Sequence, residues 1–341
     1  MMSTIDKPWY DVLGKFDQIA HSAIQAYPAL LQSTVQLLNY SENATYLVKN
    51  TETDEKYILR VGRLGYNSKR EIESELAWLL SIAEHSSIHV SLPILACDGE
   101  YIQEIVFENE RYHCILFTFL AGDAPDENNE ADLIKQFEAL GEITAHLHEH
   151  SMNFRENLTT IQRLSWDYET IIGSNAKWGR WQDGLGMTKE RIELFEKVSK
   201  QIKNRLEQFG KGPEHYGLIH SDLRLANLLV EGRQIKVIDF DDCGYSYYLY
   251  DLAGSLSFIE HKPYVPALIH AWLKGYRKVR ALSIEEELEI PTFIMMRRLQ
   301  LIAWIGSRDN DTTRELGSGF TVATDRLARE YLQHFAEVGA L

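Results

Sequence analysis

Residues 217–242, GLIHSDLRLANLLVEGRQIKVIDFDD, restrict the fold of this chain more than any other stretch. A short apolar strand through Leu218 and Ile219 ends at His220, and a polar loop follows from Ser221 to Ala226. Two apolar runs, 228–230 and 235–238, are separated by Glu231, Gly232 and Arg233, the pattern of a β-hairpin. Closing that hairpin brings Asn227 and Asp239 side by side at its open end, next to Asp222 in the preceding loop. One amide and two carboxylates then meet at a strand edge. Such a set suits Mg²⁺, a hard cation that takes few protein oxygens and completes its shell with water and phosphate. Asn227 and Asp239 are the candidate metal ligands, and Asp222 is left to hold a substrate hydroxyl.

The run His220-Ser221-Asp222, with Asn227 beyond it and then Asp239-Phe240-Asp241, resembles the catalytic loop and metal-binding strand end of the protein-kinase-like fold. Its wording (IHSDL…NLLV…VIDFDD…YDLA) is most similar to the aminoglycoside phosphotransferase, homoserine kinase and choline kinase-like group of small-molecule kinases. The resemblance implies an α+β, bilobal architecture. An N-lobe over residues 1–119, an antiparallel sheet with one helix and a leading helix, would bind the nucleotide. A larger, mainly helical C-lobe over 120–341 would carry the catalytic loop, the hairpin and the acceptor site. The implied activity is an ATP-dependent, Mg²⁺-using phosphotransferase acting on a hydroxyl of a small molecule. By the same match Asp222 orients the acceptor hydroxyl or takes its proton. Arg224 either neutralises charge on the transferring group or is a surface arginine. His220 is expected to brace the loop. Asp251 either hydrogen-bonds the catalytic-loop backbone or N-caps the helix after it.

Composition narrows the partners. At 341 residues the chain exceeds one typical core, and a formal net charge of −15 argues against nucleic-acid or anionic-membrane binding. Cys97, Cys114 and Cys243 have neither a disulfide-framework nor a zinc spacing. No stretch approaches the ~20 apolar residues of a membrane span, and no secretory signal is visible. A reducing, cytoplasmic location is expected.

Taken in order, the chain fits two lobes. Helical spacing over about 11–29 (Val12, Phe16, Ile19, Ala23) predicts the leading helix. Strand-like runs follow at 34–38, 45–48 and 57–61. The loop 39–44 between the first two stands where kinase-like folds cover the nucleotide phosphates. It contains no glycine, and Ser41 and Asn43 are its candidate working residues, an ordinary hairpin loop being the alternative. Arg60 stands where protein kinases carry a phosphate-binding lysine, an exposed strand arginine being the alternative. On the helix predicted over 68–84, Glu75 falls between Ile72 and Leu79 on the apolar face, where a carboxylate needs a partner, and Arg60 is the natural one. Glu71 and Glu73 are expected to be solvated. The apolar run 114–120 ends at the lobe boundary, where backbone groups of Thr118, Phe119 and Leu120 are candidates for binding adenine.

Beyond the boundary, helices are predicted near 131–150, 188–209, 263–280, 283–307 and 321–338. His146, His148 and His150 recur at alternate positions, which point different ways on a helix, so they form no metal site and are expected to be exposed or capping. The Trp- and Gly-rich segment 175–187 reads as an insertion over a cleft, with Trp178 and Trp181 as candidate acceptor contacts, the alternative being that the two tryptophans pin the loop to the core. Asp241 and Asp242 are expected to project beside the metal ligand. Carboxylates near aromatic groups (Trp178, Trp181, Tyr245, Tyr247, Tyr248) favour an amine-bearing acceptor, such as an amino alcohol, an amino acid like homoserine or an aminoglycoside-like sugar. The alternative is that the tyrosines pack under C-terminal helices. Asp241-Asp242 replaces the glycine of the protein-kinase Asp-Phe-Gly, and no Ala-Pro-Glu segment follows. An atypical protein Ser/Thr kinase and a non-catalytic nucleotide-binding protein are the competing classes.

Overall fold

The computed structural model describes residues 9–153 and 160–338. The chain forms two compact units, one from residues 1–81 with 90–120 and the other from 82–89 with 121–341.

The first unit opens with helix α1 (Trp9–Ile24). Strands β1 (Ser33–Tyr40), β2 (Asn43–Asn50) and β3 (Lys56–Gly62) follow, then helix α2 (Lys69–His85) and strands β4 (Ile102–Phe107) and β5 (Glu110–Thr118). The strands form one antiparallel sheet in the order β1-β2-β3-β5-β4. The period-2 pattern of β2 buries Ala44, Tyr46 and Val48 against the apolar stripe of α1, Phe16, Ile19, Ala23 and Ile24. Leu59, Val61, Cys114 and Leu116 complete that core. Each large side chain enclosed there contributes about 1.5–3 kcal/mol. The Tyr46 hydroxyl within the core is satisfied, donating to Asp17 at 2.9 Å.

The second unit contains helices α3 (Glu130–Asn153), α4 (Tyr168–Ile171) and α5 (Lys189–Phe209). Strands β6 (Tyr216–Ile219), β7 (Leu228–Glu231), β8 (Gln234–Val237) and β9 (Gly244–Tyr247) come next. Helices α6 (Tyr250–Ser255), α7 (Val265–Tyr276), α8 (Ile284–Leu288), α9 (Ile290–Ser307) and α10 (Asp311–Val338) complete it. Strand β6 pairs with β9, and β7 with β8, each antiparallel. Thr188 caps α5 through the backbone N–H of Arg191 at 3.3 Å.

The expected run 283–307 is two helices. Ser283 and Glu286 form a capping box that starts α8, and Pro291 in the first turn of α9 begins a new helix. Helix α10 starts ten residues before the expected 321 and bends at Gly317, whose φ is +49°. Helices α3 and α7 meet through glycines. A Cβ on Gly275 would lie 1.8 Å from the Glu138 carbonyl oxygen, and one on Gly141 2.0 Å from that of Trp272. This close crossing fixes α3, which carries His148 toward α6.

Candidate active site

Strand β6 delivers the chain to His220, and three contacts then shape the loop. His220 is fully buried; its Nδ1 accepts from the Asp222 N–H at 3.2 Å and its Nε2 donates to the Ile238 carbonyl at 3.0 Å. Ser221 takes a left-handed φ of +70°, and its N–H donates to Asp251 Oδ1 at 2.7 Å, with the His220 N–H on Asp251 Oδ2 at 3.2 Å. Those charge-assisted bonds offset the steric cost of a left-handed serine. Asp251 therefore holds the loop backbone. It is not the N-cap of α6, a position that Leu249 occupies.

The hairpin closes as its turn predicts. Leu228 pairs with Val237, and the Ile238 N–H donates to the Asn227 carbonyl at 3.0 Å, so Asn227 and Asp239 lie at the open end. Asp239 is exposed and left-handed, with φ +66°. Asn227 is buried, and its Nδ2 donates to both the Asp222 carbonyl (2.9 Å) and Asp222 Oδ2 (2.8 Å). That double donation fixes which way the amide faces, because it assigns the nitrogen to Asp222 and leaves Oδ1 as an acceptor-only group.

Asp222 is itself buried, 8% exposed, yet carries a charge that its surroundings can support. Burial works to raise its pKa, but Arg297, Arg224 and His220 outweigh burial and hold it below the ordinary carboxylate value. Arg224 Nε reaches Asp222 Oδ2 at 3.2 Å, and Arg297 Nη2 donates to Oδ1. Arg224 is thus an ion-pair partner of the loop carboxylate, and its side chain remains partly exposed.

Arg297 escaped the sequence reading. It projects from the middle of α9, is 1% exposed, and is separated from Asp222 by 75 positions. A signal existed: Arg297 and Arg298 interrupt the apolar run IPTFIMMRRLQLIAWI, and a buried guanidinium requires a partner. Arg298 pairs with Glu260 at 2.7 Å, both side chains being fully enclosed.

The expectation of exposed or capping histidines fails for His148 and His150, which are both buried. His148 accepts from the Tyr276 hydroxyl at 2.8 Å and donates to Asp251 Oδ2 at 3.1 Å, so it supports the residue that supports the loop. Its distance from Asp251 in sequence hid this role.

The acceptor candidates divide. Asp241 and Asp242 do not project into solvent; they are 5% and 6% exposed in the short turn after Asp239. That turn is pinned by Arg163, which donates to the carbonyls of Asp241 and Cys243, and by Trp166, which donates to that of Asp242 at 2.7 Å. Trp178 is buried beside the same group of residues, its ring 5.0 Å from the Arg297 guanidinium. Trp181 packs instead on Phe195 of α5, with ring centroids 6.1 Å apart, and pins its loop to the helical core. Tyr247 and Tyr248 are core residues as well. Tyr247 packs on Phe209 and Phe293, and Tyr248 on His148. The insertion over a cleft thus resolves into a loop whose tryptophans are buried.

In the first unit, Arg60 and Glu75 form a bidentate pair with both bonds at 2.7 Å, 7% and 0% exposed. Glu71 is not simply solvated, since it accepts from the Ser68 N–H and hydroxyl at the start of α2. The expected loop 39–44 shortens to the turn Ser41-Glu42. Strands β1 and β2 extend to Tyr40 and Asn43, the Ser41 N–H donates to the Asn43 carbonyl at 3.0 Å, and its hydroxyl donates to Glu42. The Thr118 backbone already has partners on both sides. Its N–H donates to the Leu92 carbonyl at 2.9 Å and its carbonyl accepts from Ser91 at 2.5 Å. Phe119, at the border of exposure, and Leu120 follow it.

Hard oxygen donors, the Asn227 amide and the Asp239 carboxylate, suit a divalent cation such as Mg²⁺, which needs few protein ligands. No group of three or more His, Cys, Asp or Glu residues forms a dedicated metal cage among the described residues. The donor set therefore fits an ion that shares its shell with phosphate and water.

The same fold recurs among known proteins. A solved structure of a microcompartment-associated aminopropanol kinase superposes with a TM-score of 0.84 and 38% identity, covering 93% of this chain and 98% of that one. An amicoumacin kinase in complex with AMP-PNP and Ca²⁺ shares the fold, with a TM-score of 0.74 and 20% identity over 95% of this chain and 96% of its own. Amicoumacin kinase of Bacillus subtilis (strain 168) is 22% identical over 293 residues, 83% of this chain and 82% of that protein. Residues 34–282 match the phosphotransferase enzyme family throughout the sheet, the catalytic loop and the hairpin. With the α+β protein-kinase-like fold and the loop of Asp222 in place, the chain belongs to the phosphotransferase enzyme family, whose members here are kinases acting on hydroxyl groups of small molecules.

Proposed function

We propose that this chain transfers the γ-phosphoryl group of ATP to the hydroxyl of a short amino alcohol. The observation that carries the chemistry is the Asp222 carboxylate, held ionised on its loop and bonded by the Asn227 amide. Phosphoryl transfer asks a protein mainly for positioning and charge neutralisation. Asp222 would orient the acceptor hydroxyl. As the hydroxyl oxygen bonds to the γ-phosphorus and the bond to the β–γ bridging oxygen breaks, the hydroxyl proton passes to Asp222 and ADP leaves. A carboxylate with a lowered pKa is a weak base, so that proton moves late, when the oxygen is already bonding to phosphorus. Asn227 and Asp239 would hold the divalent cation, which supplies charge neutralisation to the phosphates. Arg224 would add positive charge at the loop. Arg60, fixed by Glu75, would bind nucleotide phosphate, with Phe119 and Leu120 at the adenine. His220 and Asp251 would act as loop braces.

Two observations favour an amine-bearing acceptor. The buried carboxylates of Asp241 and Asp242 follow the metal ligand directly, in a turn that Arg163 and Trp166 hold. A 38%-identical relative is an aminopropanol kinase. Strand β9 and helix α6 begin almost at once after Asp242, which leaves no long peptide-docking segment and favours a small acceptor. Free cysteines, and the lack among described residues of any helix long and apolar enough to cross a membrane, accord with the reducing cytoplasm that we assign.

The test is ADP release over a panel of 1-amino-2-propanol, ethanolamine, choline, homoserine, an aminoglycoside, glycerol and glucose, with ³¹P NMR of the product. Amino alcohols should turn over best, and Asp241→Asn should raise their KM far more than that of ATP. Efficient turnover of glycerol or glucose with the amines ignored would overturn the acceptor assignment.

A further inference from the structure

The hydrogen bonds around Asp222 leave room for very little else. A carboxylate oxygen accepts two good bonds. Oδ2 already accepts from Asn227 Nδ2 at 2.8 Å and from Arg224 Nε at 3.2 Å, and is full. Oδ1 accepts from Arg297 Nη2 and has one position left. The guanidinium that occupies its other position is not a chance neighbour. Its Nε donates to Ser257 Oγ at 2.9 Å and its Nη1 to Gln300 Oε1 at 3.1 Å, while Gln300 also accepts from the Tyr250 hydroxyl. Ser257 in turn donates to the Gly254 carbonyl at 2.6 Å, at the end of α6. The ring of Trp178 lies against the guanidinium. Every polar atom of Arg297 that donates therefore has a fixed direction, and one of them points at the loop carboxylate.

We propose that Arg297 is a positioning residue for phosphoryl transfer, holding Asp222 so that the acceptor hydroxyl has a single seat, the remaining lone pair of Oδ1. This rests on the reading of Asp222 as the hydroxyl's partner. The loop is then held twice from the helical core, its backbone by Asp251 of α6 and its reacting side chain by Arg297 of α9. The seat lies beside a fixed positive charge, so an amino alcohol must bind with its ammonium group turned away from Arg297. A small misplacement of the hydroxyl is costly, since in-line attack depends on where that oxygen stands.

Arg297→Met should lower kcat for the amino alcohol by about 10²-fold, and Arg297→Lys, which keeps a cation but not the fork, by about tenfold. Equilibrium binding of AMP-PNP should stay close to that of the parent, a split that general loss of structure would not give. The deciding experiment is a double-mutant cycle with Asp222→Asn read on kcat. If Arg297 acts through Asp222, the double variant is no slower than Asp222→Asn alone. If Asp222→Asn slows the reaction and Arg297→Met adds its full effect on top, the positioning role is wrong. If Asp222→Asn leaves kcat within about tenfold of the parent, the reading of Asp222 itself fails, and this inference with it. Should neither Arg297 variant fold, Ser257→Ala removes the bond that aims Nε, together with the bond that Ser257 donates to the Gly254 carbonyl. It should lower kcat several-fold with AMP-PNP binding retained, and unchanged kcat would overturn the proposal.

Discussion

Asp239 occupies a left-handed backbone position at the open end of the hairpin, a conformation that aspartate and asparagine tolerate better than alanine does. Asp239→Asn therefore removes the charge with little strain and is the cleaner probe of the metal assignment. Activity should fall by about 10²-fold or more, and the Mg²⁺ concentration for half-maximal rate should rise. The same Mg²⁺ titration curve in parent and variant would remove Asp239 from the metal site. His148 makes a second prediction, on stability. Burial pushes its pKa down and Arg280 adds to this, while Asp251 pulls the other way, and Tyr276 and Tyr248 complete its surroundings. The folded state then binds fewer protons than the unfolded chain, whose histidine titrates near 6.5. The contribution of His148 is complete above that value and is lost as pH falls below it through the folded pKa. Unfolding free energy measured from pH 7.5 to 5 should thus drop less steeply in His148→Asn than in the parent, by up to about 1.4 kcal/mol per pH unit. Parallel curves would show that His148 does not carry the linkage. Neither His148 nor Arg297 could be placed from sequence. Periodicity marks a residue as inside, but their partners, Asp251 and Asp222, are 103 and 75 positions away.

Between elements, the bond from β3 to α2 is the clearest energetic unit. Arg60 and Glu75 share two 2.7 Å hydrogen bonds out of solvent, with the Phe117 ring 5.1 Å from the guanidinium. Exposed ion pairs couple by only ~0.2–1 kcal/mol. This pair should exceed that range in a double-mutant cycle of Arg60→Met and Glu75→Gln, because either single change leaves a buried charge without its partner. Additive effects on stability would mean that each side chain is satisfied by something else. The pair was legible because the helical stripe places Glu75 inward, where a buried carboxylate demands a cation, and the family resemblance puts Arg60 on the neighbouring strand. The catalytic hairpin was legible for a related reason: its contacts close within 26 residues, so turn chemistry alone sets its register. Elements that end for reasons outside their own pattern were read less well. Strands β1 and β2 run on through polar residues to a two-residue turn, because ladder hydrogen bonds, not hydrophobicity, continue them. Composition left segment 175–187 open between a cover for a cleft and a loop pinned to the core, and Trp181 against Phe195 is pinned.

At the scale of the whole molecule, charge is what remains to be explained. The chain carries 50 acidic against 35 basic side chains, a net −15, and must nevertheless take up an anionic nucleotide. Buried arginines are also spent internally, Arg297 on Asp222 and Arg298 on Glu260. The long-range field is therefore negative, which attracts a cationic acceptor and opposes the approach of ATP, even when the nucleotide carries its metal. Salt weakens such a field, with a screening length of about 10 Å at 0.1 M ionic strength. The two substrates should then respond in opposite directions as KCl is raised at fixed free Mg²⁺. For the amino alcohol kcat/KM should fall several-fold, whereas for ATP it should hold or rise. A neutral hydroxyl compound, if one is turned over slowly, should show neither trend, which separates steering from any effect of salt on the fold. Falling kcat/KM for ATP together with an insensitive amino alcohol would mean that local cations govern encounter and that the acidic surface plays no part in choosing the acceptor.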